Sequence, residues 1–237
     1  MRATPPRSRP TRTAAIFADP AYDVPDARPP TASLKDRGGH QPPALTLTRL
    51  PFSRKEAAAI AALAPGGATL FVGPEATRER ALDRSLADYR FIHFATHSVV
   101  NEDVASLSSI ALSTVDRSGR PRDGLVMLPD VYDMALNADL VVLSGCQTAL
   151  GKTIRGEGSI GLARGFMYAG VPRVVASLWQ VSDLGTAELM KRFYRGMLVD
   201  SLTPAAALRA AQRELAANPR WASPYFWAPF ILQGDWR

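Results

Sequence analysis

From Ser53 to the C-terminus, short apolar runs suited to buried strands alternate with segments patterned as helices. Ser53-Arg-Lys-Glu56 matches a capping box, and Glu56 to Ala64 then reads as helix, stopped at Pro65-Gly-Gly67. Ala68 to Val72 reads as a strand and Glu75 to Tyr89 as a polar helix with Leu82 and Leu86 on one face. Arg90 to Ala95 is the next strand, ending at Thr96-His97, and the run from Leu140 that ends on Cys146 is another. A helix from Glu157 to Ala169, a strand from Arg173 to Leu178, and helices from Asp183 to Leu198 and Pro204 to Ala217 follow. Pro204 suits a first helical turn. The tail from Tyr225 to Leu232 has a buried strand's composition, with Pro229 suggesting a sheet edge. Strand alternating with helix predicts βαβ units and a mainly parallel sheet, which is an α/β fold.

Two stretches break the alternation. Residues 98–137 form an excursion in which Ser109 to Val115 and Gly124 to Leu128 flank the turn-rich Asp116 to Asp123, the pattern of a hairpin. A short helix from Leu128 to Ala135 is expected after it. Residues 1–43 carry 9 of the 19 prolines and read as a largely disordered Pro/Arg-rich leader, with a strand over 13–18 stopped by Asp19-Pro20. The expected division is therefore a leader over 1–43 and one α/β domain over 44–237.

Composition excludes several classes. No apolar run is long enough to span a bilayer, so no membrane association is expected. A single cysteine rules out an internal disulfide framework and gives no sign of secretion, which points to the cytoplasm. Three histidines and one cysteine lack zinc-ligand spacing, and neither a metal nor another cofactor is expected. The net charge of +6 is spread along the chain without a basic stripe, so nucleic acid is not expected as a partner.

Leu140-Val-Val-Leu-Ser-Gly-Cys146 ends a buried-strand run on that one cysteine, and three chemistries compete for the residues after it. Gly145 to Thr153 looks like a P-loop, but five residues separate the first glycine from Gly151-Lys152 where four are needed to wrap phosphates. Gly156-Glu-Gly158-Ser-Ile-Gly161 matches a dinucleotide fingerprint but lies ten residues beyond the strand end. The plainer account of Gly158, Gly161 and Gly165 is close packing of their helix on the sheet. The third chemistry is a thiol nucleophile, which needs a base. His40 lies in the leader and His93 inside a strand. His97 sits at a strand's carboxyl end, as Cys146 does, where open α/β sheets build their sites. The 49-residue separation, histidine first, is the caspase order. Taken singly, a strand-end histidine is more often structural and a lone cysteine more often a packed hydrophobe.

His93-Phe-Ala-Thr-His97, Leu143-Ser-Gly-Cys-Gln-Thr-Ala149, Gly156 to Phe166 and Ala176-Ser-Leu-Trp-Gln-Val-Ser-Asp183 together resemble the CHAT domain. That family is caspase-like, related to separases and clostripain, and often associated with TPR repeats. Ala18-Asp-Pro20, Leu50-Pro51 with Glu56, and Trp227 to Leu232 extend the likeness to about residues 13–237. The resemblance implies a three-layer α/β/α sandwich and a cysteine endopeptidase. In it His97 is the catalytic histidine, Cys146 the nucleophile, and the backbone N–H groups of Ser98 and Cys146 the oxyanion donors. Asp183 resembles the acid that lines the pocket for a basic P1 side chain, although a helix N-cap would also suit it.

Two positions depart from the family's usual pattern: Ser98 stands where glycine is common, and Gly145 where alanine is common. No TPR array is present, and the domain could be truncated at its N-terminal end. The expected partners are a protein or peptide substrate and a TPR-containing or other regulatory protein, with oligomeric state open. The rival expectations are an inactive scaffold module of the same fold and, more remotely, a nucleotide binder.

Overall fold

In the computed structural model, residues 9–22, 47–101, 104–145, 147–150, 157–179 and 181–236 are described, with only the backbone for 147–150 and 157–160. His40 and Cys146 lie outside the described residues, as do positions 151–156 of the two glycine motifs. The elements run β1 (Arg12–Ala18), α1 (Pro51–Leu63), β2 (Ala68–Val72), α2 (Arg78–Ala81), β3 (Tyr89–Ala95), β4 (Ser98–Asn101), β5 (Ser109–Ala111) and β6 (Leu125–Met127). They continue with α3 (Leu128–Tyr132), β7 (Leu140–Leu143), β8 (Gln147–Leu150), α4 (Glu157–Tyr168), β9 (Arg173–Ser177), α5 (Asp183–Leu198), α6 (Pro204–Ala217) and β10 (Phe230–Gly234).

Among the described residues, six strands form one sheet in the order β10-β9-β7-β3-β1-β2. Every pairing in it is parallel except β10 against β9 at one edge. β1 is interior, and Ala14 to Ala18 is a continuous buried run, as a strand covered on both faces requires.

The period of two sorts the strand residues into two cores. Phe17, Ile92, Phe94, Val141, Leu143 and Val174 face α3 and α4, and Phe17 stacks between Phe71 at 4.7 Å and Phe94 at 4.9 Å. Ala14, Ile16, Phe91, Ala95, Val142 and Val175 face α1, α5 and α6. The result is a caspase-like three-layer α/β/α sandwich.

A second, four-stranded sheet, β6-β5-β4-β8, carries the expected hairpin as its antiparallel β5–β6 pair. Its strands β4 and β8 were not anticipated from the sequence. β4 continues the chain of β3, β8 continues that of β7, and the two pair in parallel from Ser98↔Gln147 onward.

Other local expectations are corrected. Ser53 and Glu56 form no capping box. The first helix starts at Pro51, and Ser53 Oγ instead donates to the Leu50 carbonyl and accepts from the Asp19 N–H. The helix expected over 75–89 is cut into α2 and two 3₁₀ turns, Gly73–Glu75 and Arg84–Asp88, because Thr77 and Asp83 each cap a new start. The tail strand begins only at Phe230, after a 3₁₀ turn at Pro224–Phe226. A Cβ on Gly165 would lie 2.6 Å from Leu128 Cδ1, so that close approach is to α3 rather than to the sheet. One on Gly161 would meet nothing within 4 Å.

Candidate functional site

The site is built where the two sheets meet. β3 and β7 pair as far as Phe94↔Leu143, and pairing resumes at Ser98↔Gln147. Three residues intervene on each chain: Ala95-Thr96-His97 on one, and Ser144-Gly145 with position 146 on the other. Counted along the chain from either ladder, position 146 is therefore the counterpart of His97. The crossing is tight. The Ser144 N–H donates to the Phe94 carbonyl at 3.1 Å, and Ser177 Oγ donates to the Gly145 carbonyl at 3.2 Å. A Cβ on Gly145 would fall 1.4 Å from the Thr96 carbonyl oxygen, so only glycine fits.

His97 is 5 % exposed and its Nε2 lies 2.7 Å from the Thr48 carbonyl oxygen. A carbonyl can only accept, so Nε2 carries the proton and, in the neutral ring, Nδ1 carries the lone pair. The Tyr22 ring lies 5.6 Å from the imidazole, and its hydroxyl reaches Thr96 Oγ1 at 2.6 Å and the Ala111 carbonyl at 2.9 Å.

The stretch that supplies Thr48 is itself anchored. Arg49 donates to both carboxylate oxygens of Asp19 at 2.8 and 2.9 Å, and Arg54 donates to Oδ2 at 2.8 Å. Burial pushes Asp19 up, but its bonds to Arg49 and Arg54 outweigh that and hold it below the usual carboxylate value. Asp19 adopts φ +47, which lets β1 turn sharply under this loop.

Ser98, nearly buried, opens β4 with Ile110 on one side and Gln147 on the other. Asp183 is the first residue of α5. The N-cap is Ser182, whose hydroxyl accepts from the Gly185 N–H, while Asp183 Oδ2 accepts from the Phe52 N–H at the start of α1. Desolvation pushes the Asp183 carboxyl up to about 6. The Phe52 bond opposes that shift, and the charges of Glu56 and Asp19 add to it.

Asp183 lines a cavity of about 10 Å³, the room of one water molecule, together with Ser53, Glu56, Ser144, Gly145 and Thr186. Thr186 Oγ1 is buried there without a hydrogen-bond partner. The structure thus brings Asp183 to the residue that precedes Cys146.

His93 lies inside β3, bonded to Glu56 and close to Ser144, two of the residues that line the cavity. It is wholly buried, with Nε2 donating to Glu56 Oε1 at 2.7 Å and Nδ1 3.1 Å from the Tyr194 hydroxyl. Sequence reasoning gave no role in the site to Thr48, Asp19, Glu56 or Ser144, reading Asp19 only as a strand stop and Glu56 only as a capping residue. Asp19 and Glu56 did carry a signal, because each falls in a segment shared with the family. Thr48 acts through its main chain, which leaves no mark in residue type. Among the described residues, no group of three or more His, Cys, Asp or Glu is placed to hold a metal ion, and no helix is long and apolar enough to cross a membrane.

A caspase-like sandwich built on a mainly parallel sheet defines the class of protein. The chain matches the CHAT domain over residues 1–235 and belongs to that family. It is 28% identical to mouse (Mus musculus) tetratricopeptide repeat protein 28 over 99% of its own length, and 29% identical to the human (Homo sapiens) protein over 78%. It spans only about a tenth of those relatives, 10% and 8% of their lengths. Among solved structures, the Arg specific cysteine proteinase gingipain R superposes with a TM-score of 0.51 at 10% identity. That match covers 96% of this chain and 49% of the other, and it establishes the fold.

Proposed function

We propose that this chain is a cysteine endopeptidase acting through a His97/Cys146 dyad. The observation that carries the reading is His97, fixed by the Thr48 carbonyl with its lone pair on Nδ1, one residue before Ser98, which pairs with Gln147, the residue after Cys146. In the proposed reaction Nδ1 takes the Cys146 proton and the thiolate sulfur attacks the scissile carbonyl. The oxyanion is held by the backbone N–H groups of Cys146 and Ser98. The imidazolium returns its proton to the leaving amine, and water then hydrolyses the thioester.

Asp183 supplies the preference for a basic P1 side chain. Its carboxyl sits beside Gly145, is desolvated, and gains from a cation that relieves its repulsion from Glu56. The cavity has room for about one water molecule, so a P1 side chain must displace α1 or α5 slightly to enter. The relatives' names motivate a TPR-containing regulatory partner.

The test is hydrolysis of a peptide library by the folded protein and by Cys146→Ala. Cleavage enriched for Arg or Lys at P1 and lost in the variant is expected. A folded wild-type protein that cleaves nothing leaves the second reading, a non-catalytic interaction module. That reading draws its support from relatives named for their repeats rather than for a protease activity.

A further inference from the structure

A buried polar cluster lies beside Ser144 and Gly145, the two residues that lead into Cys146. Glu56 from α1, His93 from β3, Ser144 after β7 and Tyr194 from α5 are each at most 1 % exposed. Glu56 Oε1 accepts from Ser144 Oγ at 2.6 Å and from His93 Nε2 at 2.7 Å, and Ser144 Oγ lies 3.1 Å from His93 Nε2. In the neutral ring the His93 proton is then on Nε2, and Nδ1 accepts from the Tyr194 hydroxyl at 3.1 Å. Burial, with the charge of Glu56, raises Tyr194 well above its ordinary value and keeps that hydroxyl a donor. A fold that needed only packing here would fill the space with apolar side chains, because buried polar groups are costly unless each is bonded.

We propose that Glu56, acting through Ser144, is a positioning residue that fixes the Ser144–Gly145 main chain leading into Cys146. The proposal rests on the endopeptidase reading and extends it. Ser144 stands two residues before Cys146, and its main chain is already pinned by the Phe94 carbonyl. Its hydroxyl, held by Glu56, fixes the remaining rotation at that strand end, while Ser177 Oγ fixes the next carbonyl. Misplacing a reacting atom by an ångström costs about a hundredfold in rate, so an anchor at this distance matters more than its hydrogen-bond energy. Glu56 and Ser144 also line the Asp183 cavity, which places the anchor beside the proposed P1 site.

The test compares wild type, Ser144→Ala and Glu56→Gln by two readouts. One is inactivation by a peptide acyloxymethyl ketone with arginine at P1, separated into its binding constant and its maximal rate. The other is amide hydrogen exchange in the peptide spanning residues 143–150. Both variants should lower the maximal inactivation rate about tenfold or more, leave the binding constant within about twofold, and speed exchange in that peptide alone. Folded variants with unchanged rate and unchanged exchange overturn the proposal. Loss of cooperative folding in both does so equally, by assigning the cluster to the core. If wild type never reacts with the ketone but exchange still responds in the variants, the anchor stands and the endopeptidase reading falls.

Discussion

The Thr96 carbonyl oxygen fills the space that a Cβ on Gly145 would need, 1.4 Å from where that atom would sit. The contact joins the two chain crossings that end in His97 and Cys146.

Gly145→Ala must push the crossings apart, because backbone rather than a flexible side chain blocks the new methyl. A loss of about 3 kcal/mol is expected, at the upper end of ordinary overpacking. Urea unfolding of the variant against wild type measures it.

Asp183→Asn should change how stability depends on pH. A folded-state pKa of about 6 against an unfolded value near 4 means that the folded protein holds this proton more tightly. The stability gained is fully present below about pH 4 and is lost as pH rises through about 6. Asparagine cannot ionise, and its amide oxygen can still accept from the Phe52 N–H. The variant should therefore gain on wild type steadily from pH 4 to pH 7 in denaturant titrations, and should lose any preference for basic P1 residues.

Asp19→Asn should act with the opposite sign. The wild-type carboxyl is held below its ordinary value by Arg49 and Arg54, so its contribution is present at neutral pH and lost on acidification. The variant should be destabilised by about 1–2 kcal/mol at pH 7, with the gap to wild type closing toward pH 3. Any peptidase activity should fall as well, since Arg49 holds the segment that offers Thr48 to His97.

Tyr194→Phe removes the donor to His93 Nδ1 and leaves that nitrogen buried and unbonded. A loss of about 1–2 kcal/mol is expected, read as a lower midpoint in thermal unfolding.

The sheet was legible because buried parallel strands write themselves as apolar runs, and five of the six main-sheet strands lie within a residue of their expected starts. The exception is the tail strand, deferred to Phe230 by the 3₁₀ turn before it. β4 and β8 were hidden because Ser98–Asn101 and Gln147–Leu150 are four-residue segments without a clear period. The helix expected over 75–89 failed because Thr77 and Asp83 compete locally for backbone N–H groups, which a hydrophobic stripe does not reveal. At the site, His97 and Asp183 could be singled out from motif and position. Glu56 was visible as a capping residue and in a family segment, but its partners, His93 and Ser144, were not, being 37 and 88 residues away.

The dyad is tested most directly by the second-order rate at which the P1-arginine ketone labels Cys146, measured on wild type and on a folded His97→Ala variant. The account expects rapid labelling of wild type and a fall of at least a hundredfold in the variant, the usual scale of general-base loss. Equal rates in the two proteins would contradict it.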